Sequence, residues 1–241
     1  EPLKPDQIQS PDDPVRRLAE SREARIARAV ASSLRAFGDA LDAAEIERAI
    51  QLADFASIGR IIDSQNVQDI LSSAYNPIAE LYTDSAQKEF DKYEGALHLD
   101  PLVLGMVVVP LRNEFVSSLS ATAKEVIKQQ LIDSLSSGAA LDDVASDLIQ
   151  VIGLTPQQAK AVQNYRAALE AGDRTALGRK LRDARYDATV RSWASGEAEV
   201  EASKVDTMVG READRCLAYR AQTIARTEIL KAASQGIRDA Y

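Results

Sequence analysis

The chain has 241 residues and a formal net charge of −8, enough length for one large domain or two modest ones. Its single cysteine and single histidine exclude an internal disulfide framework and a Cys/His metal cluster. With 39 alanines and only 5% aromatic residues, the composition favours packed helices and nearly excludes an all-β fold. No apolar run reaches the roughly 18 residues of a membrane span, so no membrane partner is expected; the longest run, 102–111, contains Gly105 and Pro110. The expected fold class is all-α, an elongated multi-helix protein that closes in a long C-terminal helix.

The N-terminus has neither an initiator Met nor a signal-peptide pattern, as expected of a trimmed or internally starting segment. Residues 1–14 carry Pro2, Pro5, Pro11 and Pro14 among polar residues and read as an extended arm, either a linker or a strap docked on a partner. From Val15 to about Phe37, the residues Leu18, Ile26, Ala29, Val30, Ser33, Leu34 and Phe37 recur at helical spacing. Opposite them lie Arg16, Arg17, Arg22, Glu23, Arg25, Arg28 and Arg35, which predicts a basic amphipathic helix ending near Gly38. Such a face is either solvated or meets an acidic partner or nucleic acid, and Arg16, Arg17, Arg22, Arg25 and Arg28 are the candidate partner contacts.

Next, Asp42-Ala43-Ala44-Glu45 fits a capping box ahead of a helix with Ile46, Ala49, Ile50 and Ala53 on one side. Another helical stretch begins at about Val67, and Asn76-Pro77 should end or kink it. Residues 78–98 read as helix, and Asp100-Pro101 offers an N-cap followed by proline at the first helical position. The run 102–109 is too evenly apolar and β-branched to separate a buried helix from a short strand. Pro110 is expected to break it before helix resumes over Asn113 to Leu135, closed by Ser136-Ser137-Gly138.

A boundary at Gly138 divides the chain into an arm (1–14), an N-terminal helical region (15–138) and a C-terminal helical module (139–241). In the module, Leu141 to Ile152 forms a short helix, and Thr155-Pro156-Gln157-Gln158 opens another that runs to about Ala171-Gly172. Asp173 caps a helix through about Ala194, and a long last helix runs from about Glu199 toward Gln235-Gly236. Residues 160–241 hold 15 Lys/Arg against 12 Asp/Glu, whereas 1–159 hold 14 against 25, so any DNA contact must be local.

No Gly-rich phosphate loop, G-x-S-x-G elbow or H-E-x-x-H pair is present, and the chain is expected to be no enzyme and to use no cofactor or metal. His98 reads as a turn or core histidine, and Cys216, inward on the last helix, as a small hydrophobe. At about 100° per residue, Val205, Val209, Ala213, Cys216 and Ile224 share one face of that helix, with Arg220 and Thr227 in its middle. A guanidinium there must meet a carboxylate, helix C-terminal carbonyls or a partner subunit, and Asp183 and Asp187 are candidate partners.

The stretch Tyr219-Arg220-Ala221-Gln222-Thr223-Ile224-Ala225-Arg226-Thr227-Glu228 resembles the signature of the phage minor head, or head morphogenesis, family related to protein F of phage Mu and gene product 7 of phage SPP1. The resemblance extends over residues 139–236 through Gly153-Leu154-Thr155-Pro156-Gln157-Gln158-Ala159, Asn164-Tyr165-Arg166, Arg185-Tyr186-Asp187 and Met208-Val209-Gly210-Arg211. It implies a structural virion protein in few copies at or near the portal vertex, acting in head assembly, DNA packaging or DNA delivery, with portal and capsid proteins as partners. It implies no catalysis; Arg220, Arg226, Thr227 and Glu228 carry over as a fold-stabilising or contact-forming cluster. Many relatives continue beyond this helix, whereas the present sequence stops at Tyr241, and residues 1–138 carry no matching signature. A scaffolding or ejected internal virion protein, or the helical carrier region of a phage-derived toxin, are the alternatives.

Overall fold

Where side chains can satisfy the free backbone groups of a helix end, helices begin and stop. The computed structural model describes residues 14–52, 54–91, 101–137 and 141–239. Its helices are α1 (Pro14–Asp39), α2 (Ala43–Gln51), α3 (Phe55–Ile62), α4 (Gln65–Ser73), α5 (Asn76–Asp91), α6 (Pro101–Ser137), α7 (Leu141–Val151), α8 (Pro156–Glu170), α9 (Asp187–Ser195) and α10 (Ala202–Asp239). Two 3-10 turns, Arg174–Gly178 and Ala184–Tyr186, precede α9, and no strand occurs among the described residues. The protein is all-α and closes in a long helix.

Several boundaries follow from the capping chemistry. The carboxylate of Asp42 accepts from the Ala44 and Glu45 amides at the start of α2. Thr155 and Gln158 form a reciprocal capping box at α8, with Pro156 at its first turn. α4 stops at Ser73 and α5 starts at Asn76, so the break falls where Asn76-Pro77 places it.

Other expectations are corrected. The helix α3 was not anticipated; Asp54 caps it by accepting from the Ser57 amide, and its short length hides the periodicity that would announce it. Asp173 caps only the first 3-10 turn, and the chain to Asp187 is irregular rather than helical. The run 102–109 is helix, and Pro110 does not break it: α6 passes through this residue without interruption. Residues 1–13, Ala53, 92–100 with His98 and Asp100, 138–140 and 240–241 lie outside the described residues.

The helices gather into two compact units. One takes the described residues within Glu1–Ser33, Gln68–Ser118 and Ala221–Tyr241. Its core holds Ile26, Val30, Leu71, Tyr75, Ile78, Leu81 and Tyr82, all nearly inaccessible, and the Tyr75 and Phe115 rings meet at 5.4 Å and 51°. Gly236 of α10 lies against α5 so closely that a Cβ there would sit 2.7 Å from the Tyr82 carbonyl oxygen. The Tyr82 hydroxyl donates to Asp239 at 2.8 Å across the same contact.

The other unit takes the described residues within Leu34–Val67 and Leu119–Arg220. Here α2 packs on α7 and α3, while α8 and α9 both meet the Arg174–Gly178 turn. Phe37, Ile46, Ile62, Leu148, Ile152, Leu154 and Tyr165 are its most completely buried large side chains, each contributing on the order of 1.5–3 kcal/mol by removal from water.

Pro110 sits exposed in the interior of α6, where it cannot donate to the carbonyl four residues earlier and its ring crowds the preceding turn. The helix persists because Phe115 and Val116, one turn and more beyond, are buried. Pro110→Ala is therefore expected to raise the free energy of unfolding by about 1–3 kcal/mol, the cost of an interior proline less the entropy regained by the unfolded chain. Urea denaturation checks this, and an unchanged midpoint would mean that α6 bends to accommodate the ring at no cost.

Candidate functional site

The signature residues of α10 can be followed outward from Arg220, which is 7% exposed. Its Nη1 donates to the Gly153 carbonyl at 2.7 Å, in the turn after α7. Burial lowers its pKa to about 10, so the guanidinium keeps its proton at neutral pH and requires an acceptor. The partner is thus a backbone carbonyl, one of the expected classes, and not Asp183 or Asp187, which are engaged elsewhere.

Gly153 is where it is because nothing larger fits. A Cβ at this position would lie 3.0 Å from Leu217 Cδ1 on α10 and 3.4 Å from the Leu34 carbonyl oxygen. Five residues on, the Gln158 side chain completes the α8 cap and its Nε2 donates to the Cys216 carbonyl of α10 at 3.2 Å. Gly153 and Gln158 of one signature stretch therefore touch Cys216, Leu217 and Arg220 at and beside the other.

The remaining signature stretches meet the same helix. Arg166 of α8 binds Asp206 of α10 at 2.7 Å and lies 3.6 Å from Asp147 of α7. Tyr165 is buried, and desolvation together with the nearby Glu212 carboxylate pushes its hydroxyl up to about 12. The Arg211 guanidinium lies over the Tyr186 ring, 5.2 Å from its centre, and donates to Asp183 at 2.8 Å.

Around Asp183 and Glu212 the irregular chain between α8 and α9 is tied down by arginines. Asp183, 3% exposed, accepts from Arg185 and Arg211 and lies 3.5 Å from Arg215. Arg215 also donates to the carbonyls of Leu181 and Arg182. Arg182 makes a two-pronged contact with Asp187 at 2.8 and 2.9 Å, while Arg179 donates to the fully buried Glu212 at 2.9 Å. The second Glu212 oxygen, Oε2, is buried without a hydrogen-bond partner among the described residues. With Arg191 at 3.9 Å from Asp187, six guanidiniums meet three carboxylates and leave this patch locally cationic. Sequence reasoning missed this network; the alternation of Arg and Asp over residues 179–187, with Arg211-Glu212 and Asp214-Arg215 on α10, is the signal that could have found it.

The other signature positions of α10 belong to the first unit and have partners of their own. Arg226, exposed, binds Glu23 of α1 at 2.7 Å, and Glu228, half-buried, binds Lys231 at 3.0 Å. Thr227 is exposed, with its hydroxyl donating to the Thr223 carbonyl, which corrects its expected place on the apolar face. The buried stripe there runs through Ala221, Ala225, Ile229 and Ala232, because a long helix need not bury the same face along its whole length. Arg220, Arg226, Thr227 and Glu228 therefore share no partner.

On α1, Arg22 binds Glu80 and Asp84, and Arg25 binds Glu80 at 2.9 Å. Arg28 donates to the Ala24 carbonyl of its own helix, and Arg17 is exposed. The side chain of Arg16 lies outside the described residues. Cys216 is buried, and its thiol is pushed up to about 11 by desolvation and then by Glu212, partly opposed by Arg179. Among the described residues no three His, Cys, Asp or Glu side chains converge as a metal site would require, and no helix is long and apolar enough to cross a membrane.

Two expectations test these ties. Arg220→Ala should lower the free energy of unfolding by about 2–4 kcal/mol, since it orphans a buried carbonyl and opens a cavity; a urea midpoint equal to the parent's would show that the bond contributes nothing. Hydrogen bonds from Arg185, then Arg211, hold the Asp183 carboxyl well below the usual range. Its stabilising contribution is accordingly present above the ordinary carboxylate pKa and lost as pH falls. The stability gap between the parent and Asp183→Asn should be widest near pH 7 and shrink on acidification to pH 3, as followed by thermal melts; a gap independent of pH would contradict the pairing.

Compared with known proteins, the chain matches no family model, no curated protein and no solved structure.

Proposed function

We propose that this chain is a structural minor head protein of a tailed phage, positioned at or near the portal vertex and acting in head assembly, DNA packaging or DNA delivery. The observation that carries the reading is the meeting of the two resembling stretches: the Arg220 guanidinium of one bonds the Gly153 carbonyl of the other. Stretches that resemble one family at a distance of more than sixty residues, and that also bind each other, behave as parts of one module.

The module's polar residues suit assembly rather than turnover. Arg220, Asp183, Asp187 and Glu212 face protein groups and hold segments together, which is a structural use of buried charge. On this reading the protein is no enzyme, is present in several copies, and meets portal and capsid proteins during assembly in the host cytoplasm and then in the virion. The cationic patch around Arg179, Arg182, Arg185, Arg211 and Arg215 is the place for a local DNA contact.

The expected contact role of α1 is narrowed. Arg22 and Arg25 are held by Glu80 and Asp84, so Arg28, exposed and without an ion pair among the described residues, is a cation of that face suited to a portal or capsid partner. Ile26, Val30, Leu34 and Phe37 of the same helix are buried, so deleting it would unfold the chain rather than test its surface.

Particles produced from the genome encoding this sequence provide the test. Mass spectrometry of purified particles should find the chain at far fewer copies than the major capsid protein, and chemical cross-linking should join it to the portal. Its absence from purified particles would overturn the reading.

A further inference from the structure

In the second unit, away from the arginine network, α3 and the later part of α6 leave an open cleft of about 460 Å³. Phe55, Ile58 and Ile62 line it from α3, and Ile127, Leu131 and Ile132 from α6. Four of these are buried, whereas Phe55 and Ile132 remain 50% and 49% exposed, so the rim of the cleft presents apolar surface to solvent. The opening exists partly because α3 carries a glycine: a Cβ at Gly59 would meet nothing within 4 Å. Bare backbone therefore lines the cleft, and an incoming chain can approach it closely.

The charges beside the cleft say what kind of occupant it takes. Its lining side chains carry two polar groups, the ammonium groups of Lys124 and Lys128, one helical turn apart on α6. Lys124 is paired with Asp63 at 2.6 Å, whereas Lys128 is exposed and has no ion pair among the described residues. In a chain of net charge −8, an unpaired cation beside an apolar groove is a local reversal of sign. A drug-like small molecule would find none of the convergent polar groups that orient such ligands. An anionic membrane is recognised by clusters of roughly four to eight basic residues, more than this cleft offers. A helix with apolar anchors at i, i+3 or i+4 and i+7, flanked by carboxylates, finds both an apolar trough and a counter-charge.

We propose that this cleft is a docking groove for the apolar face of an acidic amphipathic helix of a partner protein. The groove does not depend on the virion reading, and its test involves no virus particle.

The test uses the full chain and two fluorescein-labelled helical peptides with the same leucine spacing, one filled out with glutamate and the other with lysine. Fluorescence anisotropy should show saturable binding of the glutamate peptide, about tenfold or more tighter than the lysine peptide. Gly59→Leu fills the groove and should weaken binding about tenfold with the melting temperature unchanged. Lys128→Glu should shift preference toward the lysine peptide, and Ile132→Glu, at an exposed position, serves as an independent groove variant that does not depend on packing at Gly59. Binding that is not saturable, or an affinity unmoved by both Gly59→Leu and Ile132→Glu in folded protein, overturns the proposal. So does a wild-type dimer in sedimentation equilibrium that Gly59→Leu breaks, which would assign the groove to a second copy. Binding to phosphatidylserine vesicles that is lost in Lys128→Glu, with no binding of the glutamate peptide, would assign it to a membrane instead.

Discussion

A positive charge on an apolar helix face has few stable arrangements. Arg220 is almost wholly removed from water, and desolvation lowers its pKa only to about 10, so at neutral pH it stays ionised and must bond inside the protein. Its acceptor, the Gly153 carbonyl, is within reach because a residue without a side chain lets the turn after α7 come against α10. The bond and the glycine depend on each other: a side chain at 153 would be driven into Leu217, and without the close approach the guanidinium would have no partner. Around this point the α8 cap is also fastened, since Gln158 donates to the carbonyl of Cys216.

The chain between α8 and α9 follows a different logic. It has little regular secondary structure, so its backbone groups and its position must be supplied by side chains. Asp183 and Glu212 provide buried acceptors, and arginines from both the loop and α10 converge on them. Buried carboxylates of this kind are costly unless paired, and removing one partner is worse than removing both. By contrast, the more exposed pairs, such as Arg25 with Glu80 or Arg35 with Asp214, are screened by water and contribute little individually. The turn after α7 and the chain between α8 and α9 are therefore held in place by a small number of desolvated charges, of which Arg220 lies within a stretch that resembles the phage family and Asp183 and Glu212 lie beside such stretches.

Such a design suits a part that is assembled once and then holds. In the proposed reading the locked arginines give the module a fixed shape, and recognition is left to surfaces that the internal ties do not consume. The apolar cleft between α3 and α6 is one such surface.

Much of the helical framework was legible in the residues themselves. Periodicity marked α1 and α7, and Asp42, Thr155 and Pro156 marked starts that the backbone obeys, because a cap acts on amides two or three residues away. Burial of Arg220, with a helix-end carbonyl among its possible partners, also followed from helical geometry alone. Beyond that range the sequence was silent or misleading. The uninterrupted α6 at Pro110, the exposure of Thr227 and the choice of Gly153 over Asp183 turn on tertiary packing, and α3 is too short to show a period. The sequence by itself determined where turns and caps could form and which faces were apolar; only the tertiary structure decided which acceptor lay within 3 Å of a buried guanidinium, because that distance is set by how closely two helices pack and not by any spacing along one of them.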